Sequence, residues 1–139
     1  MKKGTLINAD ISYAIAKMGH NDMLTICDSG LPIPRGVQRI DVAIKKGVPT
    51  FIETLETIVE ELRIEEIIIA REIREISPHM FQEILKIIES VEAAENIKVR
   101  ITEVDHEEFK SMTKESSCIV RTGEYTPYAN IILKSGVVF

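Results

Sequence analysis

The run Ile64-Glu65-Glu66-Ile67-Ile68-Ile69-Ala70 is compact, β-branched and flanked on both sides by segments of helical period. Before it, Phe51, Ile52, Leu55, Ile58, Val59 and Leu62 recur at the spacing of one apolar helix face. After it, Met80, Ile84, Leu85, Ile87 and Ile88 do the same. A strand that is apolar at consecutive positions needs cover on both faces, so this run predicts a central strand with helices packed against it. Pro49 is placed to open the helix before it, and Ser77-Pro78 to cap and start the helix after it.

The same alternation runs through the rest of the chain. Asn8 or Asp10 can cap a first helix with Ile11, Ile15 and Met18 on its inner face, and Gly19 suits its C-terminal cap. Met23 to Cys27 predicts a short buried strand. Asp28-Ser29-Gly30-Leu31-Pro32-Ile33-Pro34-Arg35-Gly36 cannot be regular structure, because prolines and glycines interrupt it. Val37 to Ile44 alternates well enough for a strand or strand edge, and Ile97, Val99 and Ile101 predict another strand. Asp105-His106-Glu107-Glu108 has the form of a capping box opening a short helix. Cys118 to Val120, Ile131 to Leu133 and the terminal Gly136 to Phe139 read as closing strands. The sum is one α/β domain over residues 1–139, a three-layer α/β/α sandwich with helices on both faces of one sheet.

Composition narrows the function classes. The net charge of −5 comes with no basic stripe to neutralise phosphates, so a nucleic-acid partner is not expected. The two cysteines, Cys27 and Cys118, each lie inside an apolar run, which argues against a disulfide framework and for a reducing cytoplasm. No stretch reaches the roughly 18 apolar residues of a membrane span. Behind Met1-Lys2-Lys3, the polar Asn8, Asp10 and Ser12 interrupt any apolar signal region, so export is not expected.

The polar run Arg121-Thr122-Gly123-Glu124-Tyr125-Thr126-Pro127-Tyr128-Ala129-Asn130 separates two strand-like segments, and packing alone does not require so many polar groups there. His20 sits at a helix-to-strand loop beside Asn21 and Asp22, as either a proton-transfer group or a plain helix cap. His106 starts a short helix, and His79 reads as surface. Asp28 can accept hydrogen bonds or orient an imidazole, and is equally suited to a turn. Tyr128 and Asn130 would share a face if the backbone between them were extended. The histidines and cysteines are too scattered for a metal site, and no phosphate-cradling loop or serine elbow is present. What remains suits proton movement on a polyhydroxylated ligand.

Seven segments in order resemble the D-ribose pyranase family. They are Gly19-His20-x-Asp22, Asp28-x-Gly30-Leu31-Pro32-x-Pro34, Ile40-Asp41, Gly47-x-Pro49, Glu72-Ile73, His106-Glu107-x-Phe109-Lys110, and Arg121 through Asn130. The resemblance implies a ribose pyranase-like fold with a mixed sheet and cofactor-free interconversion of the pyranose and furanose forms of D-ribose. It implies His20 as proton donor, with Asp28, His106, Tyr128, Ala129 and Asn130 binding the sugar. It also implies homo-oligomeric rings, commonly decamers, with sites at subunit boundaries. Fucose mutarotases are similar but lack the Gly-Leu-Pro-x-Pro run, and Ser29 stands where alanine is common in the pyranases. A sugar-binding accessory of a ribose transporter is the alternative from another class.

Overall fold

The computed structural model describes every residue from Met1 to Phe139. The elements in order are helix α1 (Ala9–Lys17), strands β1 (Met23–Cys27) and β2 (Gln38–Asp41), helix α2 (Phe51–Val59) and strand β3 (Ile64–Ala70). They continue with α3 (Ile73–Ile76), α4 (Pro78–Glu95), β4 (Arg100–Val104), α5 (His106–Met112), β5 (Ser116–Arg121) and β6 (Ile131–Ser135). The strands form one mixed sheet in the order β2-β5-β1-β6-β3-β4. β1, β2 and β5 run parallel, as do β3 and β4, while β6 is antiparallel to both its neighbours, β1 and β3. Every strand except β6 therefore points the same way.

Strand alternation divides the core unequally. Leu24, Ile26, Ile67, Ile69, Cys118, Val120, Ile131 and Leu133 face α1, α2 and α4 in the larger cluster. Cys27, Ile68, Ile119 and Ile132 face the other way, against Phe109 of α5 and Leu31 of the 28–36 loop. Fully buried side chains such as Phe51, Leu55, Ile58, Ile67 and Ile69 each contribute roughly 1.5–3 kcal/mol of transfer free energy. The three-layer expectation holds, with the second outer layer reduced to one short helix and a loop. No helix is long and apolar enough to cross a membrane.

Several local expectations are corrected. α2 starts after Thr50, not at Pro49: Thr50 and Glu53 exchange hydrogen bonds in a reciprocal capping box. Gly19 does not take the left-handed conformation; Asn21 does, at φ 69°, while the Asp22 carboxylate accepts the Gly19 N–H at 2.8 Å. β2 is shorter than Val37–Ile44 because, within it, only Ile40 is buried. β4 begins at Arg100, past Ile97 and Val99. The Gly136–Phe139 tail is not a strand. The Gly136 N–H donates to the Arg63 carbonyl at 2.9 Å, and Val138 and Phe139 then lie exposed.

Candidate active site

Because five strands share a direction, their carboxyl ends gather at one edge of the sheet. Asp28 follows β1, Glu72 follows β3, His106 follows β4, Thr122 follows β5, and Asn130 immediately precedes the reversed β6. Such an edge, outside the carboxyl ends of strands, is where open α/β sheets bind ligands. Here Asp28, Gly30, Leu31, Pro32, His106, Pro127, Tyr128 and Asn130 line a cavity of about 250 Å³. That lies below the roughly 300–1,000 Å³ of drug-sized sites and suits a small polar molecule.

Asp28 is the organiser of one wall. Its Oδ1 accepts the N–H groups of Gly30 and Leu31, both at 2.9 Å, closing the turn that two glycines and two prolines announce in the sequence. Its Oδ2 accepts from Asn130 Nδ2 at 2.9 Å, and its own N–H donates to Asn130 Oδ1, also at 2.9 Å. Asn130 is only 1% exposed, so most of its capacity is spent on Asp28 and one N–H at most remains for a ligand. Carboxylate oxygens have several acceptor sites each, so Asp28 keeps room for ligand hydroxyls.

The opposite wall is a turn. Tyr128 has φ 62°, so the Thr126–Asn130 segment is not extended as the sequence reading supposed. The turn itself carries Tyr128 to the cavity, and the Ser77 hydroxyl pins it by donating to the Pro127 carbonyl at 2.7 Å. Ala129 is fully buried with its methyl in the core, and its N–H donates to the Thr126 carbonyl, so any part it has in binding passes through the backbone. The Tyr128 ring meets the His106 imidazole edge-on, with centroids 4.9 Å apart at 82°. His106 is fixed at the start of α5 by Asp105, whose side chain caps the helix, and by Glu72 Oε1, which accepts the His106 N–H at 3.0 Å.

Behind the cavity, Thr122 donates to the Cys27 carbonyl from both its backbone and its hydroxyl, and the Ser29 N–H donates to the Glu124 carbonyl at 2.8 Å. Burial opposes ionisation of the Glu124 carboxyl. Bonds from Thr126, Phe51 and Tyr125 outweigh it and hold the group below its ordinary range. Arg121 spans Asp41 and the Ser29 carbonyl, bracing the 28–36 loop from the neighbouring strand. Burial, with Asp28 adding to it, pushes the Cys27 thiol up to about 12, so it is no nucleophile near neutrality.

His20 stands elsewhere. It precedes β1, so it lies at the amino end of the sheet, and β1 alone puts roughly 13 Å between it and Asp28 at the strand rise of about 3.3 Å per residue. Its Nε2 pairs with Glu65 Oε2 at 3.0 Å, and its Nδ1 meets Asn21 Nδ2 at 3.2 Å. It lines a cavity of about 390 Å³ with Met18, Arg63 and the Gly136–Phe139 tail. Of the alternatives open to Asp28, orienting an imidazole does not apply to His20 within one chain, where Glu65 takes that place; holding a hydroxyl remains. Glu65, Glu72, Glu124 and Arg121 were not singled out as site residues from sequence, because each acts through a neighbour that only the fold supplies.

The chain resembles known proteins throughout its length. A D-ribose pyranase of Clostridium perfringens is 55% identical over 139 residues, covering all of both chains. The structure of Bacillus subtilis RbsD complexed with D-ribose superposes with a TM-score of 0.91 at 37% identity, again over all of both chains. The fucose mutarotase of Streptococcus pneumoniae in complex with L-fucose follows at 0.83 and 25%, with full coverage of both chains. A family model matches residues 1–138, and the chain belongs to the RbsD / FucU transport protein family.

Proposed function

We propose that the chain is a D-ribose pyranase, an isomerase that interconverts the pyranose and furanose forms of D-ribose by acid–base opening and reclosure of the ring, with no cofactor. The observation that carries this reading is the convergence of Asp28, His106, Tyr128 and Asn130, remote in sequence, around one monosaccharide-sized cavity. Near-half identity to a D-ribose pyranase over the whole chain supports the choice of sugar.

Ring opening needs a proton delivered to the ring oxygen and one removed from the anomeric hydroxyl. Reclosure through a different hydroxyl gives the other ring size. In this reading Asp28 accepts from sugar hydroxyls, Asn130 holds Asp28 in place, and His106 and Tyr128 close the far wall. Ala129 takes part through its backbone alone. His20 moves the proton, an assistance worth about 10²–10⁴-fold. Since His20 lies at the other end of its own sheet, it serves the cavity of a second copy, which requires a homo-oligomer. We place it in a decamer of two rings, in the cytoplasm, where the free Cys27 and Cys118 stay reduced.

Saturation-transfer NMR of ribose, with and without protein, tests the activity: accelerated exchange is expected, and binding without exchange would favour a transport accessory. Faster exchange of fucose than of ribose would favour the mutarotase. H20A should abolish exchange and leave the fold intact. Refolding H20A together with D28A should restore part of the activity through sites that draw one wild-type half from each copy. No recovery would remove the two-copy site.

A further inference from the structure

Two buried polar atoms at the site have no partner, and they belong to residues already in contact. Glu72 Oε1 holds the His106 N–H at 3.0 Å, while Glu72 Oε2 and His106 Nδ1 are both buried and unpaired. An unpaired buried acceptor or donor is costly, and a bond between these two would remove both costs at once. Nδ1 belongs to the same residue whose N–H Glu72 already holds. A carboxylate only accepts, so the proton of such a bond must come from the imidazole.

From these two unpaired atoms on residues already joined by a hydrogen bond we infer that Glu72 is a positioning residue that pairs with the ring and fixes the tautomer of His106, placing the ring proton on Nδ1 and leaving Nε2 bare. Nδ1 is buried, which leaves Nε2 as the ring nitrogen to meet a ligand, and it meets it as an acceptor. His106 then recognises a hydroxyl that donates and takes no part in delivering a proton. The same carboxylate thus sets the place of His106, through its backbone, and its hydrogen-bonding sense, through its ring. Asp105 does not compete for the ring, since its side chain is spent on the Glu108 N–H.

Glu72→Gln is the test, because the amide keeps an oxygen for the His106 N–H and turns an NH₂ toward Nδ1, which should reverse the tautomer with little change of shape. Two-bond ¹⁵N–¹H correlation spectra of the imidazoles, taken without sugar at about pH 8, above the ordinary imidazole range, report which nitrogen carries the proton. The His106 signals are assigned by their loss in H106A. Protonated Nδ1 in the wild type and bare Nδ1 in E72Q are expected. A bare Nδ1 in the wild type, or a pattern that E72Q leaves unchanged, overturns the inference. The consequence for the sugar rests on the ribose reading: E72Q should raise the ribose KM by about three- to tenfold and alter kcat far less. A reversed tautomer with unchanged ribose KM would keep Glu72 in this role and count against ribose as the occupant.

Discussion

Replacing Gly123 with alanine should damage the site more than its distance from the ligand cavity suggests. A Cβ built there would lie 2.5 Å from the carbonyl oxygens of Lys45 and Val48 and 2.6 Å from the Val48 nitrogen. All three are backbone atoms, so no side chain can swing aside. The close approach is locked by two hydrogen bonds, Gly47 N–H to the Gly123 carbonyl at 2.6 Å and Gly123 N–H to the Pro49 carbonyl at 2.9 Å. Overpacking costs about 1–3 kcal/mol, and relieving it by moving the loops sacrifices bonds of about 1 kcal/mol each. The expected destabilisation is about 3 kcal/mol. With about 2.1 cal/mol/K of unfolding entropy per residue, that lowers Tm by roughly 10 °C. Gly36 is the control: its φ of 91° also disfavours a side chain, but nothing lies within 4 Å, so G36A should cost only about 1–2 kcal/mol. Gly123 also heads the connection that carries Tyr128 and Asn130, so the surviving folded G123A should bind sugar more weakly, whereas G36A should not. Denaturant melts and ring-exchange measurements on both variants decide the matter. G123A with wild-type stability and exchange would refute the claim that the 45–49 segment and the 122–130 connection are fitted together through this glycine.

Two further predictions probe the carboxylates. The folded-state pKa of Glu124 is depressed, so the stability it contributes is complete above its ordinary value of 4.5 and is lost as pH falls through the lower folded value. Acid denaturation curves of the wild type and E124Q should therefore differ at pH 5–7 and draw together as the pH falls below 4.5; parallel curves would mean the depression is absent. D28N should face its new NH₂ against that of Asn130 and lose about 1–3 kcal/mol. D28N/N130D restores a donor opposite an acceptor, so a double-mutant cycle should give a favourable coupling of at least about 0.5 kcal/mol. Additive effects would deny the pairing.

The parts of the fold legible in the sequence are those where burial writes a period. β3 reads from Ile64 to Ala70 because apolar residues fill consecutive positions of a strand covered on both sides. α4 reads because its inner face repeats Met80, Ile84, Ile87 and Ile88. The tail misled for the opposite reason: Gly-Val-Val-Phe has strand-forming residues but no neighbouring strand left to pair with, and composition does not record that. Thr50-x-x-Glu53 was present as a capping signal but was overshadowed by Pro49. At the site, Asp28, Tyr128 and Asn130 stood out by residue type and turn context, whereas His106 entered only through the family resemblance. Their common location depended on strand direction, which local patterns do not contain. For the same reason the sequence left the partner of Asp28 open, since His20 and Asn130 are both polar and both adjacent to strands, but at opposite ends of the sheet.

Strand direction also bears on assembly. β1 begins just after His20 and ends just before Asp28, so no loop rearrangement of modest size brings the two together while β1 stays paired with β5 and β6. Two possibilities are left: His20 is a structural cap in this chain, or it works in trans. The surroundings favour the second. His20 is half exposed, held by Glu65 rather than by a core group, and lies beside a tail whose Val138 and Phe139 bury little of themselves in their own chain. In the proposed assembly this surface docks a second copy, with the exposed Val138 and Phe139 supplying buried area and His20 the chemistry. Removing Val138 and Phe139 should then weaken assembly and exchange together while leaving the melting of the individual domain nearly unchanged. A truncated protein that stays assembled and active would assign the tail no part in presenting His20.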